Sequence, residues 1–222
     1  MGKRWVLADV ETTGLTANDK VVEVAWMEID DYFEVIGKGH SLIDPGCPIP
    51  AATSAVHGIT NRDVVGCPDL DTYMATTDLN CGDMVFVAHN AKFDFQFLGR
   101  FLPEGTPQLC TVKLARKLWP NVDNHKLGTL VYALDLEVQK DRFHSADGDM
   151  AVLLALLGKA NEEFGLGLEE MLEIVSQREV ITHMTFGKHK GLPLKDLPRS
   201  YVKWLLGLEN LDSDLRVALQ AL

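Results

Sequence analysis

The sequence predicts an α/β protein: a five-stranded mixed sheet flanked by helices, followed by a small C-terminal appendage. Three observations predict it. Between Trp5 and Ile43, apolar and β-branched runs are joined by short connections, the pattern of an antiparallel meander. From Asp83 onward, strand-like runs alternate with helical periodicity. Beyond Ser176 the composition changes, with His, Lys, Gly and Pro gathered between His183 and Pro198.

The first strand is Trp5–Val10, an apolar run interrupted by Asp9 and continued by Glu11 before the turn Thr12-Thr13-Gly14. Lys20–Ile29 reads as the second strand and Tyr32–Ile43 as the third, across a tight Asp30-Asp31 turn. The Pro-rich connector Asp44–Pro50 leads to a short helix over Ala51–Val56 that ends at Gly58. Thr60 with Asp63 three residues on reads as a capping-box variant, and a helix is expected over Asp69–Leu79. Asp83–His89, apolar with a break at each end, reads as a buried fourth strand. Ala91–Leu102 follows as a helix whose Phe93, Phe97 and Phe101 recur at i, i+4 and i+8 as a core stripe. Pro107–Cys110 is the fifth strand, and Thr111–Leu118 and Lys126–Leu134 are helices, the first closed by Pro120. Ser145–Phe164 is the longest helical pattern, with Met150, Leu153, Leu154, Leu157 and Ala160 on one face and Ser145 or Asp147 as its cap. A Gly-broken helix covers Gly165–Gln177, and short helices cover Tyr201–Leu206 and Asp212–Leu222, the last capped by Asp212 or Ser213. The domain boundary is placed after Gln177, giving 1–177 and 178–222.

At 222 residues the chain holds one sizeable core plus the appendage. An ordinary apolar and charged composition argues against wholesale disorder. No run approaches the ~18–20 apolar residues of a membrane span, which excludes a helical membrane protein. The N-terminal apolar run is too short for a secretory signal and ends in acids, and Val6 stands where a myristoylation pattern needs Ser or Thr. Cys47, Cys67, Cys81 and Cys110 form no C-x-x-C and have no His at zinc spacing. They read as reduced thiols of a cytoplasmic protein. The net charge of −11 is unevenly spread. From Arg178 onward, seven basic residues face five acids, a net of +2, which leaves −13 on the rest. An acidic body needs metal to hold a polyanion. Lys188, Lys190, Lys195 and Lys203 are either phosphate contacts or a solvated face. Tyr201 and Trp204, at i and i+3, either stack bases or pack the appendage.

Residues two apart on a strand share a face, so Asp9 and Glu11 emerge side by side at a strand end. Adjacent anions are costly there unless a cation sits between them, and Mg²⁺ or Mn²⁺ takes hard oxygen ligands. Alone, the pair reads rather as two surface acids on a fraying strand, and the residues that follow reverse that reading. Asp94 lies in the first turn of the helix after the fourth strand, where it can project toward that strand's end. Asp149 lies in the first turns of the long helix, and His144 stands five residues before it. Carboxylates that hold two cations roughly 3.5–4 Å apart, with an imidazole that takes a proton from water, are the parts of two-metal phosphodiester hydrolysis.

These residues fall in three ordered motifs: Asp9-Val-Glu11-Thr-Thr-Gly14-Leu15, His89-Asn90-Ala-Lys-Phe93-Asp94, and His144-Ser-Ala146-Asp-Gly-Asp149. Together with Val56–Thr60 they resemble the DEDDh 3′→5′ exonucleases of the ribonuclease H-like superfamily, which includes proofreading subunits of replicative polymerases. The resemblance covers residues 4–165. Cys110–Pro120 and the tail pattern from Phe186 to Leu205 resemble the exonuclease X group within it. The resemblance implies a ribonuclease H-like sheet, a meander followed by parallel strands. It implies hydrolysis from the 3′ end with release of nucleoside 5′-monophosphates. Asp9, Glu11, Asp94 and Asp149 would hold two Mg²⁺ ions, or Mn²⁺, with Asp9 bridging them, and His144 would be the general base. Thr12, Leu15, His57, Ile59 and Asn90 would line the nucleotide pocket. The implied partner is nucleic acid, single-stranded 3′ ends of DNA foremost and no membrane, with a DNA polymerase and a homodimer as further partners. RNA trimming and an accessory proofreading role are the alternatives. His89 reads as packing at a strand end, and Asp147 as a helix cap.

Overall fold

Five strands form one mixed sheet in the spatial order β3 (Val35–Leu42), β2 (Val21–Ile29), β1 (Arg4–Thr12), β4 (Met84–Ala88), β5 (Gln108–Cys110). β1, β2 and β3 are the antiparallel meander, and β4 and β5 run parallel to β1. The computed structural model describes residues 3–138, 146–177, 181–184, 186–208 and 211–222.

β1 is central because both of its faces are apolar. Trp5 and Leu7 enter one core with α6 (Ala146–Phe164), while Val6, Ala8 and Val10 enter a second core with α3 (Ala91–Leu98). The sheet thus separates two apolar layers, and side chains of one strand alternate between them. α6 is more deeply set than its single apolar stripe predicts. Val152 and Leu156 are buried along with Met150, Leu153 and Leu157, because α4 (Thr111–Leu118) and α5 (Leu127–Ala133) pack against it as well as the sheet.

Four expectations are corrected. β3 begins at Val35 rather than Tyr32. The Asp30 carboxylate accepts the Tyr32 and Glu34 amides at 2.9 Å each, and Phe33 turns at φ 64°. The helix expected over Asp69–Leu79 is the single short α2 (Leu70–Met74), capped by Asp69. The Thr76 and Thr77 hydroxyls donate back to the Tyr73 and Met74 carbonyls and compete with helix continuation. The Thr60–Asp63 pair does form, with the Thr60 amide and hydroxyl donating to Asp63 Oδ2 at 2.7 and 2.6 Å. It closes a turn rather than a helix, since Gly66 and Pro68 follow at once. α1 (Ala51–His57) ends, as expected, at Gly58 in the left-handed region. α3 stops at Leu98 and gives way to a 3₁₀ turn over Gly99–Phe101.

The chain forms two compact units, Met1–Val175 and Ser176–Leu222. The first includes α7 (Leu168–Ser176) up to Val175. In the second, α8 (Arg199–Leu206) and α9 (Ser213–Gln220) share a core of Met184, Leu194, Leu197, Leu205, Leu211, Leu215 and Leu219. A strap leads into it, closed by the Met184 amide on the Leu192 carbonyl at 2.8 Å and the Leu194 amide on the Thr182 carbonyl at 2.9 Å. Among the described residues, no helix is long and apolar enough to cross a membrane.

On β3, Gly39 pairs with Trp26 of β2, and the indole lies over it. A Cβ at position 39 would stand 2.5 Å from Trp26 Nε1 and 2.8 Å from the Tyr73 hydroxyl oxygen. Gly39→Ala is therefore expected to cost about 1–3 kcal/mol by overpacking. A lowered urea midpoint with an unchanged m-value checks this, and an unchanged midpoint would contradict it.

Candidate active site

The end of β1 is where the sheet splits. β4 accompanies β1 only as far as the Leu7–Val87 pair, while β2 continues to the Glu11–Glu23 pair and a bulge follows before Thr12. Asp9 and Glu11 prolong the row of Trp5 and Leu7, so they emerge on the α6 side just past the apolar core. Asp149 is the fourth residue of α6, one turn from its start. Carboxylate oxygens of Asp9, Glu11 and Asp149 lie within 4.8 Å of one another.

Asp94 approaches from the other face of the sheet. α3 starts after Asn90, which takes the left-handed conformation at φ 70°, ψ 48°, one that Asn tolerates better than most residues. Asp94 sits in the first turn and is 2 % exposed. Because β4 has ended, the Val10 amide lacks a strand partner on that side, and Asp94 Oδ1 accepts it at 3.2 Å. The other oxygen, Oδ2, is buried with no hydrogen-bond partner among the described residues.

The electrostatics of the cluster are one-sided. Burial, then Asp94, Asp149, Glu11 and Glu23, hold the Asp9 carboxyl well above its ordinary value. Burial, with Asp149 and Glu23, pushes Glu11 up to about 8. Burial also raises Asp94, against the pull of the Val10 amide. A set of hard oxygen donors that repel one another, with one buried oxygen left unpaired, fits divalent cations. Asp9, Glu11 and Asp149 are the carboxylates that converge closely enough to share a cation, and Asp94 adds its charge to the field at Asp9.

One participant is missed by the sequence motifs. Glu23, the third residue of β2, is 6 % exposed and lies directly across from Glu11. Its Oε2 accepts the Ala146 amide at 3.1 Å, and its Oε1 meets His40 Nε2 at 2.7 Å. The carboxylate thus satisfies a free amide at the start of α6, where an anion is also favoured by the helix dipole. It fixes the turn of helix that carries Asp149. Its signal in the sequence is a lone acid inside Val21-Val22-Glu23-Val24-Ala25, on a strand whose neighbouring positions are all apolar.

The other expected residues are placed as follows. Leu15 stands 76 % exposed on the loop after β1, an apolar side chain open to a ligand. That loop is pinned by Asp19 Oδ2, which accepts the Thr16 amide at 2.8 Å and the Thr16 hydroxyl at 2.7 Å. Thr12 is buried and its hydroxyl donates to the Gly14 carbonyl. His57 is buried beside the Thr12 backbone. Its Nδ1 accepts the Ile59 amide at 3.1 Å, so the proton of the neutral ring sits on Nε2, and burial lowers its pKa. Ile59 packs in a small cluster with Val22, Ile49 and Val64. Asn90 is exposed at the start of α3. His89 is a structural strap, accepting the Thr111 hydroxyl at Nδ1 (2.9 Å) and donating from Nε2 to the His125 carbonyl (2.8 Å). Burial carries its pKa down to about 4, which keeps it neutral. His144 and the Asp147 side chain lie outside the described residues.

Comparison with known proteins bears on this arrangement. Residues 6–157 match the RNase_T family model, described as exonuclease, and residues 165–208 match a second model, "Putative quorum-sensing-regulated virulence factor". The chain is 31 % identical over 222 residues to exodeoxyribonuclease 10 of Escherichia coli (strain K12), an alignment covering 96 % of each protein. It is 33 % identical over 183 residues to a DNA polymerase III subunit epsilon-like protein of Rhodobacter capsulatus, covering 75 % of this chain and 26 % of that one. A solved structure of exonuclease X in complex with 5′ overhanging duplex DNA superposes with a TM-score of 0.63 at 30 % identity, over 78 % of this chain and 99 % of that one. Exonuclease I, at 15 % identity and a TM-score of 0.64, shares the fold.

Without metal, Glu11 titrates at about 8 in the folded chain against an ordinary 4.5. Between those values the folded state binds more protons than the unfolded one, so stability falls as pH rises through the window. A divalent cation competes with those protons. Added Mg²⁺ or Mn²⁺ should therefore raise Tm more at pH 8 than at pH 5.5. Equal shifts at both pH values in a thermal-unfolding series would sink the cluster as a cation site.

Proposed function

The chain belongs to the exonuclease family of the RNase_T type, and on that premise we propose that it is a metal-dependent 3′→5′ exodeoxyribonuclease that releases nucleoside 5′-monophosphates. The observation that carries the proposal is the convergence of Asp9, Glu11 and Asp149 at the end of β1, with the unpaired Asp94 Oδ2 beside them. Asp9, Glu11, Asp94 and Asp149 hold the metal in this reading, as two Mg²⁺ ions, with Mn²⁺ also suited to the oxygen donors. Bound there, the cations supply Lewis acidity and neutralise charge that develops on the phosphodiester.

The chain's own residues do the rest. The His144 imidazole takes the proton of the attacking water and passes it on to solvent. Glu23, by holding the Ala146 amide, anchors the helix start two residues after that histidine and three before Asp149. The exposed Leu15 wedges against the terminal base, and Thr12, His57, Ile59 and Asn90 line the nucleotide pocket. An acidic body that attracts no polyanion unaided is in keeping with metal dependence. DNA rather than RNA is supported by the names of the 31 % identical relative and of the 30 % identical structure. The polymerase III epsilon-like relative supports a second reading, in which the same activity proofreads for a DNA polymerase. Four free thiols suit the reducing cytoplasm, the location we propose.

The test uses 5′-labelled single-stranded DNA and RNA oligonucleotides, each with Mg²⁺ or EDTA. One-nucleotide ladders on DNA that require metal are expected from the wild type, and none from Asp9→Ala or Asp149→Ala. His144→Ala should slow the ladder by about 10²–10⁴. Ladders confined to RNA would move the reading to RNA trimming, and full activity of both carboxylate variants would overturn it. Glu23→Ala should lower kcat by about 10–100-fold through misplacement of α6, with KM little changed. Glu23→Gln, whose amide oxygen still accepts the Ala146 amide, should retain most of the rate. Equal loss in both variants would refute a positioning role.

A further inference from the structure

The second unit contains a cavity that the exonuclease reading does not use. It is open, has a volume of about 680 Å³, and is lined by Lys188, His189, Pro198, Tyr201 and Trp204. That volume lies within the range of ligand sites. Its walls are aromatic and basic, and no acidic side chain lines it among the described residues.

The arrangement is built rather than incidental. Tyr201 and Trp204 lie at i and i+3 on α8, with ring centroids 5.3 Å apart and planes 28° from parallel. His189 meets Tyr201 edge-on at 4.5 Å, and Lys188 Nζ stands 5.3 Å from the centroid of the same ring. The loop that brings these side chains in depends on Gly187, at φ 70°, where a Cβ would lie 2.8 Å from the Tyr201 hydroxyl oxygen. Leu205, on the other side of α8, is fully buried and anchors the helix to the core of the unit. Trp204 is not needed for that packing, since it is 54 % exposed. An indole held flat by a stacked tyrosine, open to solvent and flanked by a lysine, has the features of a platform for nucleobases. The cationic surroundings match a polyanion. Lys188, Lys190, Arg199 and Lys203 are all exposed, in a unit of net charge +2, against −13 for the rest of the chain.

We propose that this cavity is a second nucleic-acid site, where an unpaired base of a DNA strand stacks on Trp204 and the neighbouring phosphate is met by Lys188. The proposal rests on the reading of the chain as a DNA exonuclease, and it adds strand retention by a separate unit. Such a site raises the effective concentration of the strand near the enzyme without any new contact at the carboxylates.

The full-length protein is tested in EDTA, by fluorescence anisotropy, against a labelled closed circle of single-stranded oligothymidylate. The circle offers no 3′ end to the exonuclease site and is not cut. Trp204→Ala should weaken binding roughly 5- to 150-fold, the range expected for one stacked base. Trp204→Phe should retain most of the affinity. Lys188→Ala should reduce the salt slope by about 0.7, the release from one phosphate of a single strand. Unchanged urea midpoints exclude a folding defect. No binding of the circle by the wild type, or equal affinity in Trp204→Ala, would overturn the proposal and leave the cavity to a protein partner. Separately, wild-type hydrolysis of the p-nitrophenyl ester of thymidine 5′-monophosphate with Mn²⁺ reports on the carboxylate site alone. Its failure would count against the exonuclease reading and not against the second site.

Discussion

The Asp9 carboxylate feels Asp94, Asp149, Glu11 and Glu23 together. Like charges gathered at a partly buried position push apart, and the protein must hold them with interactions made elsewhere. The two apolar layers supply that restraint. Trp5 and Leu7 of β1, and Leu153, Leu156 and Leu157 of α6, are fully buried in one layer, directly behind the acids. Interiors packed this tightly transmit strain rather than absorb it, so the carboxylates cannot drift apart to relieve their repulsion. The energy of folding is thereby stored as a demand for positive charge at one end of one strand.

The acids reach that point from different elements for reasons visible in the backbone. The central strand outruns its parallel neighbour, which leaves an amide without a partner at Val10. Asp94 supplies the missing acceptor with one oxygen, while the other has no partner among the described residues. A backbone need on one face of the sheet and a helix start on the other are both met by carboxylates, Asp94 and Glu23. Structural and chemical roles are joined in these residues. The end of β1 and the start of α6 each need a hydrogen-bond acceptor, and the carboxylates that supply it also add to the field in which Asp9 sits.

Much of this was legible in the sequence, and the exceptions have physical causes. β1 and β4 declare themselves as short apolar runs and α3 and α6 through helical periodicity, and the acids stand out because they interrupt or flank those patterns. Glu23 did not stand out. A glutamate between valines on an alternating strand looks like a solvent-facing position, and only the docking of a helix from far along the chain turns it inward. The Thr60–Asp63 bond is local and forms as expected, yet a capping bond without residues to extend it makes a turn. Thr76 and Thr77 shorten α2 through hydroxyl bonds to the preceding turn, a competition that apolar periodicity does not register. In the appendage, the spacing of Tyr201 and Trp204 was equally compatible with packing and with an open platform. Burial is decided by which side of α8 meets the leucine core, and that depends on α9 and the strap.

The bond from Glu23 to the Ala146 amide joins residues 123 positions apart. Synthesis proceeds at about 5–20 residues per second. β2 therefore leaves the ribosome roughly 6–25 s before the start of α6. Throughout that interval the nascent chain can pair its first three strands, but the acid of α6 has yet to be made. The growing polypeptide emerges with its carboxylate cluster still incomplete. The third member of the converging trio, at position 149, completes the cluster only after every strand of the sheet has been made.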